Sequence, residues 1–157
     1  MPVGTFSQIY IQMIFAVKGR ASLIKPIWQE DLNKFISGLI KNKGQKLIVI
    51  NGVEDHIHIF ISINSSCRIS DLVREIKKSS NKYINENFVA TKSFQWQEGY
   101  AAFSYNKSAV DSVVKYIDNQ KEHHKKRSFL DEYKDFLRKF DINYDEKYLF
   151  KELEDEE

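Results

Sequence analysis

Cysteine is nearly absent from this 157-residue sequence, where Cys67 stands alone. A lone thiol excludes an internal disulfide and any zinc centre built on cysteines, and it makes a reducing compartment the economical expectation. Proline, with two residues, and glycine, with six, are also scarce. That scarcity excludes collagen-like and linker-like chains and implies long regular elements joined by brief turns. No apolar run approaches the roughly 20 residues needed to span a bilayer. The N-terminus lacks the basic-then-apolar order of a signal peptide, so the expected location is cytoplasmic, without membrane contact. Repeats, low-complexity stretches and Pro/Ser-rich linkers are missing too, so residues 1–150 are expected to form one domain.

Hydrophobic content of 42% and charged content of 29% describe a globular chain with a core of its own. Aromatic residues are plentiful, with 11 Phe, 8 Tyr and 2 Trp. The net charge of +2 conceals an asymmetry. Residues 151–157 carry five acids and one lysine, an expected solvated acidic tail, which leaves +6 on the preceding 150 residues from 23 basic and 17 acidic groups. Such a surplus suits a polyanionic partner, although by itself it is weak evidence.

Periodicity orders the elements. Ile9, Ile11, Met13, Phe15 and Val17 alternate over residues 8–18, the period of a strand. From Pro26 to Lys43, Ile27, Leu32, Phe35, Ile36, Leu39 and Ile40 recur at helical spacing, with Pro26 suited to the first turn and Gly44 to the stop. Two strands follow, Leu47–Val53 and His56–Ile63, and then a helix from about Ser70 to Phe88 with Leu72, Val73, Ile76, Tyr83 and Ile84 inward. Phe94–Trp96 and Tyr100–Tyr105 are expected to supply the last strand, and Ala109–Lys126 a third helix. Ser128 and Asp131 are spaced as a capping box for a fourth, whose apolar stripe is Phe129, Tyr133, Phe136, Leu137 and Phe140. The order β-α-β-β-α-β with appended C-terminal helices predicts an α+β, ferredoxin-like sandwich with an antiparallel sheet and two helices on one face. Many functions share that fold, so function rests on the site.

Two segments carry chemistry. In the strand His56-Ile57-His58-Ile59-Phe60-Ile61, alternation puts the isoleucines on one face and both imidazoles on the other. Two imidazoles so placed can ligate one metal ion; the competing reading is a pair of exposed histidines on a half-buried strand. In the segment Tyr116-Ile117-Asp118-Asn119-Gln120, helical spacing stacks Tyr116 and Gln120. An amide oxygen suits a hard divalent cation. A phenol with a pKa near 10 is a poor nucleophile until its ionised form is favoured. Core packing is the competing reading for Tyr116.

The pairing of both segments resembles the single-tyrosine HUH transposases of the insertion sequence 200/605 family. The likeness runs from the Ile11–Arg20 region to Phe140. It includes Asp55-His56-Ile57-His58, the run from Trp96 to Ser104, and most specifically Tyr116-x-x-x-Gln120 followed by His123-His124, then Phe129 and Glu132-Tyr133. The resemblance implies Tyr116 as catalytic nucleophile and His56, His58 and Gln120 as ligands of Mg²⁺ or Mn²⁺, with no nucleotide cofactor. It implies cleavage and rejoining of single-stranded DNA through a 5′-phosphotyrosine, recognition of hairpins at element ends, and a homodimer whose sites can be completed in trans. Asn106–Ser108 would then be a hinge before the tyrosine helix. Candidate DNA contacts are Arg74, Lys77, Lys78, Lys82, Lys121, His123, His124, Lys125, Lys126 and Arg127, for several of which a solvated helix face is an equal account. Trp96, Tyr100, Phe103 and Tyr105 are stacking candidates whose default is the core. Asp55 either orients a histidine or, by preference, caps its own turn. The alternative function is a domesticated, inactive relative that only binds single-stranded nucleic acid or hairpins. Replication initiators and plasmid-transfer enzymes share the chemistry but usually belong to larger chains.

Overall fold

The computed structural model describes residues 3–19 and 22–150; the expected acidic tail lies outside them. Strand β1 (Ile9–Ala16) leads to helix α1 (Pro26–Asn42), strands β2 (Lys46–Gly52) and β3 (His56–Ile63), helix α2 (Ile69–Asn87) and strand β4 (Ala101–Tyr105). Three helices follow: α3 (Val110–Asp118), α4 (Gln120–Lys126) and α5 (Phe129–Lys139). The strands form one antiparallel sheet in the order β2-β3-β1-β4, the expected α+β sandwich.

Local chemistry sets the element ends. Pro26 occupies the first turn of α1, where its missing N–H is no loss. After α1, Gly44 takes φ +77° and lets the chain turn into β2. At the β2–β3 turn the constraint is space: a Cβ on Gly52 would lie 2.6 Å from the carbonyl oxygen of His56. Ser128 caps α5, its hydroxyl accepting from the Asp131 N–H at 3.3 Å.

Isoleucines 57, 59 and 61 of β3, together with Met13 and Phe15 of β1, join Leu32, Ile36 and Ile40 of α1 and Leu72, Val73 and Ile76 of α2 in one dry core. Each such side chain contributes roughly 1.5–3 kcal/mol by leaving water. Ile27 is an exception to the expected stripe. It is exposed, and Trp28 takes the inward place, stacked on Phe88. Residues 94–96 are not a strand; Trp96 makes an isolated bridge to Val17 and packs its ring against Phe15. Tyr83 is half-buried and stacks on Phe35.

Expectation and structure part most clearly at the other face of the sheet. It is covered as well: Phe60 packs with Val113 and Ile117 of α3, and α5 lays Phe136 over Phe103 of β4. Gln12, His56 and His58 therefore lie in a closed second layer, not on an open surface.

Candidate active site

β3 delivers His56 and His58 to this second layer by simple alternation, and both rings are fully enclosed, with 1% and 0% of their surface exposed. Their centroids lie 5.1 Å apart. Gln120 comes from the opposite side, its Oε1 3.1 Å from Nε2 of His56.

The route of Gln120 differs from the sequence expectation. Ala109–Lys126 is not one helix: α3 stops at Asp118, Asn119 leaves helical geometry at ψ 21°, and Gln120 opens α4. Asn51 of β2 explains the stop. Its side-chain amide donates to the carbonyls of Ile117 at 2.9 Å and Asp118 at 3.3 Å, taking acceptors that a continuing helix would use for its own ladder. The break redirects the chain, so Gln120 reaches His56 from the first turn of α4 while Tyr116 stays on α3. The expected hinge, Asn106–Ser108, is a capped turn: Asn106 Oδ1 accepts from the Ala109 N–H and the Ser108 hydroxyl.

A fourth group completes the cluster. Glu132 of α5 is buried, with Oε1 2.9 Å from Nε2 of His58 and 3.5 Å from Nε2 of His56. Burial alone would raise its pKa, but hydrogen bonds and charge from both imidazoles outweigh that and hold it ionised well below the usual carboxylate range. Burial likewise opposes charge on His56, yet Asp55 and Glu132 prevail and lift its pKa to about 9. On His58 burial prevails, and its pKa is lowered. Ring contacts fix the frame: Phe129 stacks on His56 at 4.0 Å, and Tyr116 meets His58 edge-on at 6.1 Å.

Asp55 does not cap its own turn with its side chain. Its carboxylate accepts from Nδ1 of His56 at 2.6 Å, which fixes the ring with Nε2 turned toward the cluster, where a bound cation would take the place of the Nε2 proton. His58 is set differently. The Gln12 amide nitrogen lies 2.9 Å from Nδ1 of His58, and the Gln12 oxygen accepts from the Tyr105 hydroxyl at 2.7 Å. In that arrangement Nε2 of His58 carries the proton and donates to Glu132. For Nε2 to accept a cation, the proton must move to Nδ1 and the Gln12 amide must turn over. The Tyr105 hydroxyl can serve either amide orientation, since it both donates and accepts.

The residues fit a divalent cation. Nitrogens of His56 and His58 and an oxygen of Glu132 all lie within 4.8 Å of one another, Gln120 adds a second oxygen beside His56, and the Gln120 amide nitrogen is buried with no hydrogen-bond partner. Two imidazoles with two hard oxygens suit Mn²⁺ and, less well, Mg²⁺.

Tyr116 adjoins this cluster with its hydroxyl buried and without a hydrogen bond of sound geometry. Burial, then the Glu132 carboxylate, push its pKa further above the ordinary phenol value, while the Arg127 guanidinium works in the opposite direction. Its ring stacks on His123 at 4.4 Å.

The family model for IS200-like transposases matches residues 5–120. The chain belongs to that family. The ISDra2 transposase TnpA of Deinococcus radiodurans is 22% identical over 125 residues, spanning 74% of this chain and 87% of that one. Two solved structures share the fold. A Deinococcus radiodurans protein described as a transposase superposes with a TM-score of 0.62 at 18% identity, covering 76% of this chain and 96% of that one. A REP-associated tyrosine transposase bound to a REP hairpin gives 0.59 at 16% identity, covering 79% and 74%.

Within this IS200-like transposase, Glu132 lies beyond the matched segment. Sequence reasoning quoted it only as part of a motif and gave it no role. A signal was nevertheless present, because Glu132 occupies an inward position of the stripe formed by Phe129, Tyr133 and Phe136, where an acid needs a partner. Asn51 carried no such signal. The candidate DNA contacts divide by what already holds them. Lys77 is tied to the carbonyls of Gln97 and Gly99, Arg127 to Asp135, His124 to Glu54 at 3.1 Å, and Arg74, Lys82 and Lys125 to acids on their own helices. Lys78, Lys121 and Lys126 are exposed. Trp96 and Phe103 are core, Tyr100 is exposed and Tyr105 half-buried.

Proposed function

We propose that this transposase cleaves and rejoins single-stranded DNA next to hairpins, with Tyr116 as nucleophile and His56, His58, Gln120 and Glu132 as ligands of one divalent cation. The observation that carries the reading is convergence. Tyr116, Gln120 and Glu132 arrive from three separate helices at one imidazole pair, all within a single chain. Membership of the family and the likeness to a transposase bound to a REP hairpin support the substrate.

A divalent cation in this seat supplies Lewis-acid polarisation of a phosphate oxygen. The Tyr116 oxygen attacks phosphorus and loses its proton, the bond to the 3′-oxygen breaks, and that oxygen leaves as a 3′-hydroxyl. The strand stays attached as a 5′-phosphotyrosine. Attack by a second 3′-hydroxyl reverses the exchange and reseals the backbone, with one phosphoester bond formed for each one broken and no nucleotide cofactor consumed. Arg127 is the group on hand to steady charge developing on the phenol oxygen. Tyr116 adjoins the imidazole pair within one chain, which supports a site assembled in cis, with a homodimer then pairing DNA ends rather than building the site. No helix among the described residues is long and apolar enough to cross a membrane, in keeping with work on cytoplasmic DNA.

The test is Tyr116→Phe. Wild type with Mn²⁺ and a single-stranded element end should give a denaturant-resistant protein–DNA adduct. The variant should lose it by at least about a thousandfold, the scale expected when a nucleophile is removed, while hairpin affinity stays within about twofold. Continued cleavage by the variant would sink the nucleophile assignment. Binding without an adduct from wild type would favour the inactive, binding-only relative.

A further inference from the structure

Resting on the reading above, we infer that the cavity beside Tyr116 is a nucleobase pocket that seats one unpaired base next to the scissile phosphate. The cavity measures about 470 Å³ and opens to solvent, with Tyr116 in its wall. Its floor is aromatic: Phe136 of α5 and Phe140 just past that helix's end, with Tyr105 of β4 at right angles to Phe140 and 5.4 Å from it. The two phenylalanines are braced from behind by near-parallel stacking on Phe103, at 5.4 Å and 4.6 Å. The floor is therefore held rigid by its own packing.

The mouth has the opposite character. Lys139 places its ammonium 5.8 Å from the Tyr105 ring centroid and 5.7 Å from that of Phe140, and Arg127 also lines the opening. An apolar aromatic floor under a cationic mouth matches a nucleotide, whose base has apolar faces and whose phosphates are anionic. A hydrophobic peptide would satisfy the floor and give the Lys139 ammonium no anion, whereas Arg127 is already paired with Asp135. The exposed Ser112 hydroxyl, also in the lining, offers a hydrogen bond to the polar edge of a base, while the Asp135 carboxylate is held by Arg127 and Arg138. Since Tyr116 belongs to the same wall, a base stacked on this floor holds its own phosphate near the phenol oxygen. The pocket is thus a positioning and selectivity device for the strand being cut.

The experiment uses the full chain with a short oligothymidylate strand carrying one 5-iodouracil, irradiated and mapped by mass spectrometry. Photoadducts should map to Tyr105 or Phe140. Ser112→Trp fills the cavity from an exposed helix position, so the fold is retained; it should remove those adducts and weaken strand binding roughly tenfold, within the range for losing one stacked base. Phe140→Leu, which keeps the apolar volume but removes a ring, should weaken binding in the same direction. Tyr116→Phe should keep the photoadducts, so failure of the covalent chemistry is read separately from failure of the pocket. Adducts confined to other surfaces, or unchanged in Ser112→Trp, overturn the proposal.

Discussion

On β3, Ile57, Ile59 and Ile61 enter an apolar core between the sheet and α1 and α2, whereas His56 and His58, one residue out of step, enter an equally dry layer under α3 and α5. Burial is nearly complete on both sides, but its energetics differ. An isoleucine gains by leaving water. An imidazole or a carboxylate loses by it, and recovers only through partners such as those joining Glu132, His58 and His56. One face of the sheet therefore stabilises the molecule, and the other keeps a set of desolvated donors assembled at a cost. The difference teaches where a ligand belongs: the face whose polar groups lack better partners is the one that a cation can improve.

The sharpest way to break this comparison is to alter both faces on the same strand. Ile59→Ala should cost about 2–5 kcal/mol of unfolding free energy through the transfer and cavity terms, while leaving the rise in melting temperature on adding Mn²⁺ intact. The paired change His58→Leu with Glu132→Leu should do the reverse. Replacing both partners of this buried hydrogen bond by apolar side chains of similar shape is expected to leave the metal-free protein about as stable as wild type. The Mn²⁺-dependent rise, worth about 2.7 kcal/mol at a hundred times Kd, should vanish. Thermal melts with and without Mn²⁺ check both. A paired variant less stable than Ile59→Ala would show that the polar layer is a foundation rather than a site.

A smaller effect sharpens the comparison at the edge of the polar layer. Asn51→Ala frees the carbonyls of Ile117 and Asp118, which can then extend α3 through residue 119. The expected loss of stability is only about 1–2 kcal/mol, for two hydrogen bonds. The adduct yield should fall tenfold or more, because Gln120 is carried off His56. Equal losses in stability and activity would mean that the helix break has no part in the chemistry.

That break also marks what the sequence could not disclose. Alternation and helical periodicity are local properties, so β1, β2, β3, the 101–105 part of the last strand, α1, α2 and α5 with its Ser128 cap were legible, as was the shared face of His56 and His58. The expected stacking of Tyr116 and Gln120 on one helix was not, because the helix breaks between them. The stop at Asp118 is imposed by Asn51, some 66 residues away in sequence, and no local pattern encodes it. The covering of the second sheet face was hidden for a related reason: periodicity shows which side of α5 is apolar but not which surface it will meet. Glu132 stood between these cases, since an acid inside an apolar stripe is visible in the sequence once the stripe is drawn.

The smallest expected effect concerns two neighbouring lysines on α2, and it separates structural from nucleic-acid-facing charge. Lys77 is half-buried, donates to the carbonyls of Gln97 and Gly99, and lies 5.5 Å from the Phe15 ring centroid. Burial lowers its pKa to about 8. Lys78, one residue on, is exposed. If α2 faces the DNA backbone, Lys78→Met should reduce the slope of log affinity against log salt by about 0.7–0.9, the release of one counterion, with no change in melting temperature. Lys77→Met should leave that slope alone and instead loosen the 97–99 loop, lowering the melting temperature and raising amide exchange there. A salt slope that responds to Lys77 and ignores Lys78 would reverse the assignment, making the lysine tied to the loop the one that meets phosphate.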